Sequence, residues 1–185
     1  MSRRRMVFFR LRAVLLPSVA FAVFVTAFAY TQDESKEAKI KSAMTGGPVE
    51  IANNARIVEF GEHGSLTTLR EGSNGWTCFP EDPGTMGASC LDEPALQWLT
   101  DLIAHKAKPT NTRPGILYML AGGISRSATD PWATTGTPVK EPPHWALLWP
   151  FDPKETGLSD KPKDTGTWVM YAGTPYAHLM INQKP

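Results

Sequence analysis

The stretch GWTCFPEDPGTMGASCLDEPALQWL, from Gly75 to Leu99, holds both cysteines of the 185-residue chain. The segment between Cys78 and Cys90 contains two prolines and two glycines, which favours an irregular loop whose ends lie close together. The spacing is far from the Cys-x-x-Cys of a redox pair, and no histidine lies nearby to complete a zinc site. We therefore expect a structural Cys78–Cys90 disulfide, which closes a loop of about 13 residues and contributes on the order of 3 kcal/mol.

Carboxylates in the same stretch allow a second interpretation. Oxygen ligands suit calcium, and the candidates are Glu81, Asp82, Asp92 and Glu93. They lack the regular Asp-x-Asp-x-Asp spacing of a calcium loop. We favour solvated loop carboxylates, and a calcium site stays as the alternative.

The residues after Cys90 carry the clearest helical pattern of the chain. Asp92 is a typical N-cap residue, and Pro94 suits the first turn. Apolar side chains then recur at helical spacing, at Ala95, Leu96, Leu99, Leu102 and Ile103. Because Pro109 ends the pattern, the sequence predicts a helix over residues 93–107.

The N-terminal segment has the layout of an export signal. Five arginines lie within the first twelve residues, and an apolar run without charge follows from Ala13 to Tyr30. Ala27-Phe28-Ala29 supplies the small-x-small pattern that precedes a cleavage site. We expect residues 1–29 to be an export signal. An uncleaved anchor in the inner membrane is the alternative, since the run approaches the ~20 residues that a spanning helix needs.

The charge balance argues against one class of partner. Five of the 19 basic residues lie in the N-terminal segment and all 18 acidic residues follow it, which leaves 14 basic against 18 acidic groups. No run rich in lysine or arginine occurs outside that segment. We expect no nucleic-acid partner, because phosphate binding needs clustered positive charge.

The rest of the chain predicts an α+β fold. A short helix over 35–44 is followed by Gly46-Gly47-Pro48, which is a stop signal. Three runs separated by glycine-containing turns predict an antiparallel meander. Their ranges are 55–60, 65–71 and 75–79. Further strands are expected at 115–121 and in the runs that begin with His144, Thr167 and Tyr176, and a long loop is expected at 122–143. The expected architecture is a mainly antiparallel sheet of six or seven strands with two helices, long Pro/Gly-rich loops and one disulfide. Residues 30–54 form an N-terminal helix and linker, and residues 55–185 form a single domain.

Five blocks of the sequence, taken together, resemble a known group. They are NGWTCFPEDPG, CLDEPALQW, YMLAGG, TDP and GTPYAHLMI, in this order between residues 36 and 181. In this respect the chain is similar to a group of uncharacterised exported bacterial proteins. The resemblance implies a small exported domain. It assigns no catalytic or binding residue, since no activity is established for that group.

Two histidines are the best candidates for a site. Strand alternation places Tyr176, His178 and Met180 on one face of the last strand. If that strand pairs with the one that begins at His144, the two imidazoles converge within about 4–5 Å. With a thioether from Met170 or Met180 they form a ligand set that suits copper. The alternative, which we favour, is packed, hydrogen-bonded histidines among core methionines.

Two further interpretations concern the long loop and its surroundings. Four tryptophans are candidates for a platform on which a carbohydrate or apolar ligand stacks: Trp132, Trp145, Trp149 and Trp168. Burial in a core is the alternative, which we favour. A hydrolase site can be assembled from one serine, one histidine and Asp130. The sequence lacks the Gly-x-Ser-x-Gly elbow that would support it, and loop serines are usually turn residues. Its candidates are Ser125 or Ser127 with His144 or His178.

These observations lead to one expectation about function. We expect an exported periplasmic or extracellular protein that acts as a non-catalytic module, binding a small ligand or a component of the cell envelope. Copper and calcium belong to the alternatives only, as does a small secreted hydrolase, and membrane contact is expected only through an uncleaved N-terminal segment. The candidate binding residues are His144, Tyr176, His178, Trp132 and Trp145.

Overall fold

The computed structural model describes residues 35–82 and 86–183. The expected export signal or anchor at residues 1–29 lies outside this range. Among the helices within it, none has the length and apolar character needed to cross a membrane. Residues from Lys36 onward belong to one compact unit.

The described residues form an α+β fold with four helices and ten strands. Helix α1 spans residues 35–44, and the other helices are α2 (Val49–Ala52), α3 (Glu93–Ile103) and α4 (Pro153–Thr156). The strands are β1 (Arg56–Phe60), β2 (Leu66–Arg70), β3 (Thr77–Phe79), β4 (Ser89–Leu91), β5 (Gly115–Met119), β6 (Gly123–Ser125), β7 (Val139–Glu141), β8 (His144–Leu148), β9 (Gly166–Met170) and β10 (His178–Asn182).

Eight of these strands form one sheet in the order β2-β1-β3-β4-β5-β8-β10-β9. The expected α+β class and the mostly antiparallel sheet are confirmed. The sheet has eight strands rather than six or seven, and there are four helices rather than two, because α2 and α4 are one-turn helices of four residues each.

The predicted antiparallel meander is wrong at its third strand. β3 pairs with β1 in parallel, with Arg56 opposite Thr77. After β2 the chain crosses over the start of β1, where the Ser73 amide donates to the Asn54 carbonyl at 2.9 Å. Gly72 permits this crossing, since a Cβ there would lie 2.0 Å from the backbone nitrogen of Arg56. The chain then enters β3 in the direction of β1.

The predicted long loop at 122–143 contains a two-stranded ribbon. β6 and β7 pair antiparallel, with Ile124 opposite Lys140. Each strand has only three residues, which is too short for alternation to be recognised in the sequence.

The predicted disulfide is confirmed. Cys78 and Cys90 lie directly opposite each other on β3 and β4 and are bonded. Both side chains are fully buried. The bridge therefore joins β3 and β4, two neighbouring strands in the interior of the sheet, on either side of the proline- and glycine-rich loop.

Helix α3 begins as predicted and ends earlier. The Asp92 carboxylate accepts a hydrogen bond from the Ala95 amide at 2.9 Å and another from the Ile116 amide at 3.1 Å. The helix ends at Ile103 instead of residue 107, because His105 adopts a left-handed backbone with φ of 52°. The following loop folds back onto the buried Asp101, which accepts hydrogen bonds from both the amide and the hydroxyl of Thr110.

The two faces of the sheet are covered by different helices. On one face, which we call the α3 face, Trp98 and Leu99 of α3 pack against side chains such as Val58 and Leu117. On the opposite face, the α1 face, Ala43 of α1 belongs to a cluster with Ala52, Ala55, Ile57, Cys78 and Cys90. The candidate site lies on the α3 face.

Candidate functional site between α3 and the sheet

A cavity of about 460 Å³ lies between α3 and the sheet. Its apolar walls include Leu102 of α3, Leu117 of β5, Leu148 of β8 and Met180 of β10. Pockets that bind small molecules usually have volumes of roughly 300–1,000 Å³ and mostly apolar walls with a few polar groups. We call this space the α3 cavity.

Polar side chains from several separate strands meet in the α3 cavity. The β6–β7 ribbon contributes Ser125 and Glu141, and the end of β9 contributes Tyr171. His144 of β8 and His178 of β10 complete the set. Both histidines are buried, at 1% and 5% exposure.

Both histidines are held in the same way. His144 Nδ1 lies 2.7 Å from the Pro142 carbonyl, and His178 Nδ1 lies 3.0 Å from the Tyr176 carbonyl. Because a carbonyl oxygen only accepts, each Nδ1 carries the hydrogen and donates it. In the neutral ring Nε2 then keeps a free lone pair. The two strands therefore fix both imidazole rings on the α3 face through Nδ1.

His178 is neutral over the physiological range. Its burial lowers the pKa to about 4, and the charge of His144 adds to the decrease, although the hydrogen bond to the Tyr176 carbonyl opposes it. The ring also lies edge-to-face against Trp98, with centroids 5.1 Å apart. An uncharged imidazole surrounded by aromatic rings accepts a hydrogen bond without bringing a charge into the cavity.

Glu141 is the buried carboxyl group of the site. Burial raises its pKa, and the effect is opposed by His144, whose Nε2 lies 3.9 Å from Oε2. The Ser125 hydroxyl makes no hydrogen bond of good geometry, but it is close enough to lower the pKa of Glu141. Glu141 and His144 therefore lie next to each other in the wall of the cavity.

Two of the residues that line the cavity each have a buried polar atom without a hydrogen-bond partner among the described residues. The two atoms are Trp98 Nε1 and Ser125 Oγ. Trp98 is 4% exposed, so bulk water does not compensate for the missing bond. A buried donor that stays unpaired costs about 1–3 kcal/mol. Both atoms are buried too deeply for a water-sized group to reach them, as are Trp168 Nε1 and Asn182 Oδ1 away from the cavity.

Tyr171 directly follows β9 in an unusual backbone conformation. Its φ is 54°, in the left-handed region that non-glycine residues seldom adopt. Its amide donates to the Ala128 carbonyl at 2.8 Å, which holds the segment after β6 against the end of β9. Its ring lies edge-to-face against His178 with centroids 5.4 Å apart. Burial, together with the charges of Glu141 and Asp130, raises the pKa of its hydroxyl, so the group stays protonated.

The structure does not place the two histidines side by side. His144 is opposite Asn182 in the ladder of β8 and β10, whereas His178 lies beyond the pair Leu179–Leu147. This is an offset of four residues, or about 13 Å along the strands, and Met180 lies between them on the same face. The copper-type interpretation predicted that the two imidazoles approach within 4–5 Å. The register of β8 and β10 does not bring them that close. Over residues 35–82 and 86–183, no three or more His, Cys, Asp or Glu side chains come close enough to hold a metal ion.

The other predicted binding residues lie elsewhere. The Tyr176 hydroxyl donates to the Lys106 carbonyl at 2.9 Å, and Trp132 Nε1 donates to the Leu102 carbonyl at 3.0 Å. Both side chains therefore form hydrogen bonds to the backbone around the C-terminal end of α3. Trp145 alternates with His144 along β8 and lies on the opposite face of the sheet, 6.5 Å from the ring of Tyr118.

The residues of the hydrolase interpretation do not form a triad. Ser127 Oγ accepts from the amides of Thr129 and Asp130, and Asp130 accepts from the Trp132 amide, which is a turn arrangement. Ser125 lines the α3 cavity but, in the described part of the chain, makes no hydrogen bond to a histidine.

Sequence reasoning missed Trp98, Glu141 and Tyr171. Trp98 belongs to the apolar stripe of α3 and carries no signal that separates it from a core residue. Glu141 comes at the end of a three-residue strand. The left-handed backbone of Tyr171 is not recognisable in the sequence, since only glycine and asparagine commonly indicate it.

Comparisons with known proteins give no match: no family model, no curated protein and no solved structure is significantly similar to this chain.

Proposed function

We propose that this chain is an exported, non-catalytic module that binds a small, mostly apolar molecule in the α3 cavity. The observation that carries the proposal is the cavity itself: about 460 Å³ of space bordered mainly by apolar side chains, with a few polar residues such as His178 among them. Burial of a ligand's apolar surface contributes roughly 25 cal/mol per Å². The polar groups then fix the orientation of the ligand.

Export is supported by the layout of the N-terminal segment and by the disulfide. Disulfides form and persist mainly in oxidising compartments such as the periplasm and the exterior of the cell. The copper-type interpretation requires converging histidines, and the hydrolase interpretation requires a hydrogen bond between a serine and a histidine. Neither contact occurs among the described residues.

The proposal is tested with N-phenyl-1-naphthylamine, an uncharged apolar dye that fluoresces when it leaves water. We expect the protein with its disulfide intact to bind the dye at one saturable site. Leu102→Phe adds volume at the wall of the cavity and is expected to weaken binding at least tenfold.

The matched control is Leu147→Phe. Leu147 is half-buried like Leu102, but it lies on the other face of the sheet. This variant is expected to bind the dye as the unmodified protein does. Absence of saturable binding, or equal binding by both variants, would show that the α3 cavity is not the site.

A further inference from the structure

Glu141 combines deep burial with access from the α3 cavity. The residue is 7% exposed and lines the cavity. Its carboxylate makes no hydrogen bond of good geometry with any described residue, yet its oxygens are not sealed in as Trp98 Nε1 and Ser125 Oγ are. A water-sized group can therefore reach this carboxylate.

The side chain next to Glu141 leaves a position for one ligand atom. His144 Nε2 lies 3.9 Å from Glu141 Oε2, and both residues line the α3 cavity. This distance is too long for a direct hydrogen bond, which spans about 2.7–3.2 Å. It is short enough for one nitrogen to lie about 2.9 Å from both atoms. One group of a ligand can therefore contact the carboxylate and the imidazole together.

The chemistry of the two atoms determines what that group must donate. A carboxylate only accepts hydrogen bonds. His144 directs its Nδ1 hydrogen to the Pro142 carbonyl, so Nε2 of the neutral ring accepts as well. A hydroxyl has one hydrogen to give, and an ether or a ketone has none. A primary ammonium group has three hydrogens and no acceptor, and so it can donate to both atoms at once.

The charges around the α3 cavity favour a cation for the same reason. The described residues that line it include Asp82 and Glu141 but no lysine or arginine. Burial raises the pKa of Glu141, because a charged carboxylate is disfavoured away from water. An ammonium group supplies the opposite charge, and a charge-assisted hydrogen bond is about twice as strong as a neutral one. A carboxylate or phosphate ligand would instead add a second buried negative charge, which is strongly disfavoured.

We infer that the ligand of the α3 cavity is a primary amine with an apolar body, whose ammonium group donates hydrogen bonds to Glu141 Oε2 and His144 Nε2. Apolar walls such as Leu117 and Leu148 contact the body of the ligand. This inference rests on the proposed function, since it names the class of molecule that the same cavity takes.

The test uses four compounds with one apolar body: 4-tert-butylbenzylamine, 4-tert-butylbenzyl alcohol, 4-tert-butyltoluene and 4-tert-butylbenzoate. Each is used to displace N-phenyl-1-naphthylamine from the protein at pH 8, and the dissociation constants are compared. We expect the amine to bind about tenfold more tightly than the alcohol or the hydrocarbon, which corresponds to about 1.4 kcal/mol. The benzoate is expected to bind most weakly.

Two glutamate variants identify the ion pair. Glu141→Gln keeps the size of the side chain and removes its charge, so the amine is expected to lose its advantage over the alcohol. Glu93→Gln is the matched control, because it removes the same charge from an exposed residue of α3 that does not line the cavity. This control is expected to keep the full selectivity.

The outcomes separate the two proposals. If neither the dye nor any of the four compounds binds, the proposed function fails and the inference fails with it. If the alcohol, the hydrocarbon or the benzoate binds as tightly as the amine, the cavity is a binding site but the inference is overturned. A preference for the amine that persists in Glu141→Gln overturns it too. The series with unmodified protein remains decisive even if Glu141→Gln does not fold.

Discussion

The two faces of the eight-stranded sheet are packed in opposite ways. On the α1 face, Gly46 and Gly47 bring the chain directly against Ser89 and Cys90, and a Cβ at Gly46 would lie 2.4 Å from the backbone nitrogen of Ser89. On the α3 face, a helix of similar length covers a cavity that contains buried polar atoms. The comparison teaches that one face supplies rigidity, through close backbone contact and the disulfide. This allows the other face to keep space and unpaired donors.

The largest effect is expected from an added methyl group on the closely packed face. Gly46→Ala places a Cβ within 2.6 Å of three backbone atoms of Ala88 and Ser89, so the strand must move. We expect the free energy of unfolding in urea to fall by about 3 kcal/mol.

The control is Gly61→Ala, at a glycine that lines the α3 cavity. The one close contact of the new Cβ would be the hydroxyl of an exposed serine, Ser65, at 2.7 Å. That hydroxyl can rotate away at the loss of one exposed hydrogen bond, to the Glu62 carbonyl. We expect a cost below about 1 kcal/mol. Equal costs at the two glycines would contradict the difference between the faces.

An intermediate effect is expected from pH, and it comes from the α3 face alone. Folded His178 stays neutral down to a pKa of about 4, whereas the unfolded chain takes up the proton near pH 6.5. The unfolded state therefore binds more protons between these values, and stability falls as the pH drops from 6.5 towards 4. The expected loss is roughly 2–3 kcal/mol.

The measurement is urea unfolding of the protein and of His178→Gln over this pH range. Glu141 contributes with the opposite sign, because its raised pKa means that the folded state binds more protons than the unfolded chain. The difference between the two proteins isolates the contribution of His178. A variant whose stability falls as steeply as that of the unmodified protein would rule out a buried neutral imidazole.

The smallest effect is expected from filling the cavity. Leu117→Phe adds volume beside empty space and is expected to change the free energy of unfolding by less than about 1 kcal/mol. Ile57→Phe is the same kind of change on the α1 face, where Ile57 is fully buried, and is expected to cost about 2 kcal/mol. Thermal unfolding of both variants tests this. A larger loss for Leu117→Phe would mean that the α3 face has no spare room.

The features that the sequence predicted well are those set by neighbouring residues. Asp92 with Pro94 fixed the start of α3, and the composition between Cys78 and Cys90 indicated their pairing. The parallel pairing of β1 and β3 could not be predicted, since it depends on how Gly72 passes the backbone of Arg56 in space. The pattern of apolar and polar residues along the chain contains no information on such a crossing.

The site was predictable only in part for a related reason. The two histidines were recognised by residue type, and alternation placed each on its correct face. Their offset follows from the register of β8 and β10, which a single sequence does not specify. The cavity arises from the distance between α3 and the sheet, and Trp98 differs from a core residue only because of that space.

The position of β10 in the sheet has a consequence for the order in which the protein is completed. β10 lies between β8 and β9, although it follows both in the chain, and β9 joins the sheet through β10 alone. During synthesis, β9 therefore has no neighbour in the sheet until the later strand has arrived. His178 and Met180 belong to that strand, so the α3 cavity cannot close while the nascent chain is shorter than about 180 residues. Folding from the N-terminus can bring β3 and β4 together early, but the α3 cavity forms only after β10 has joined the sheet.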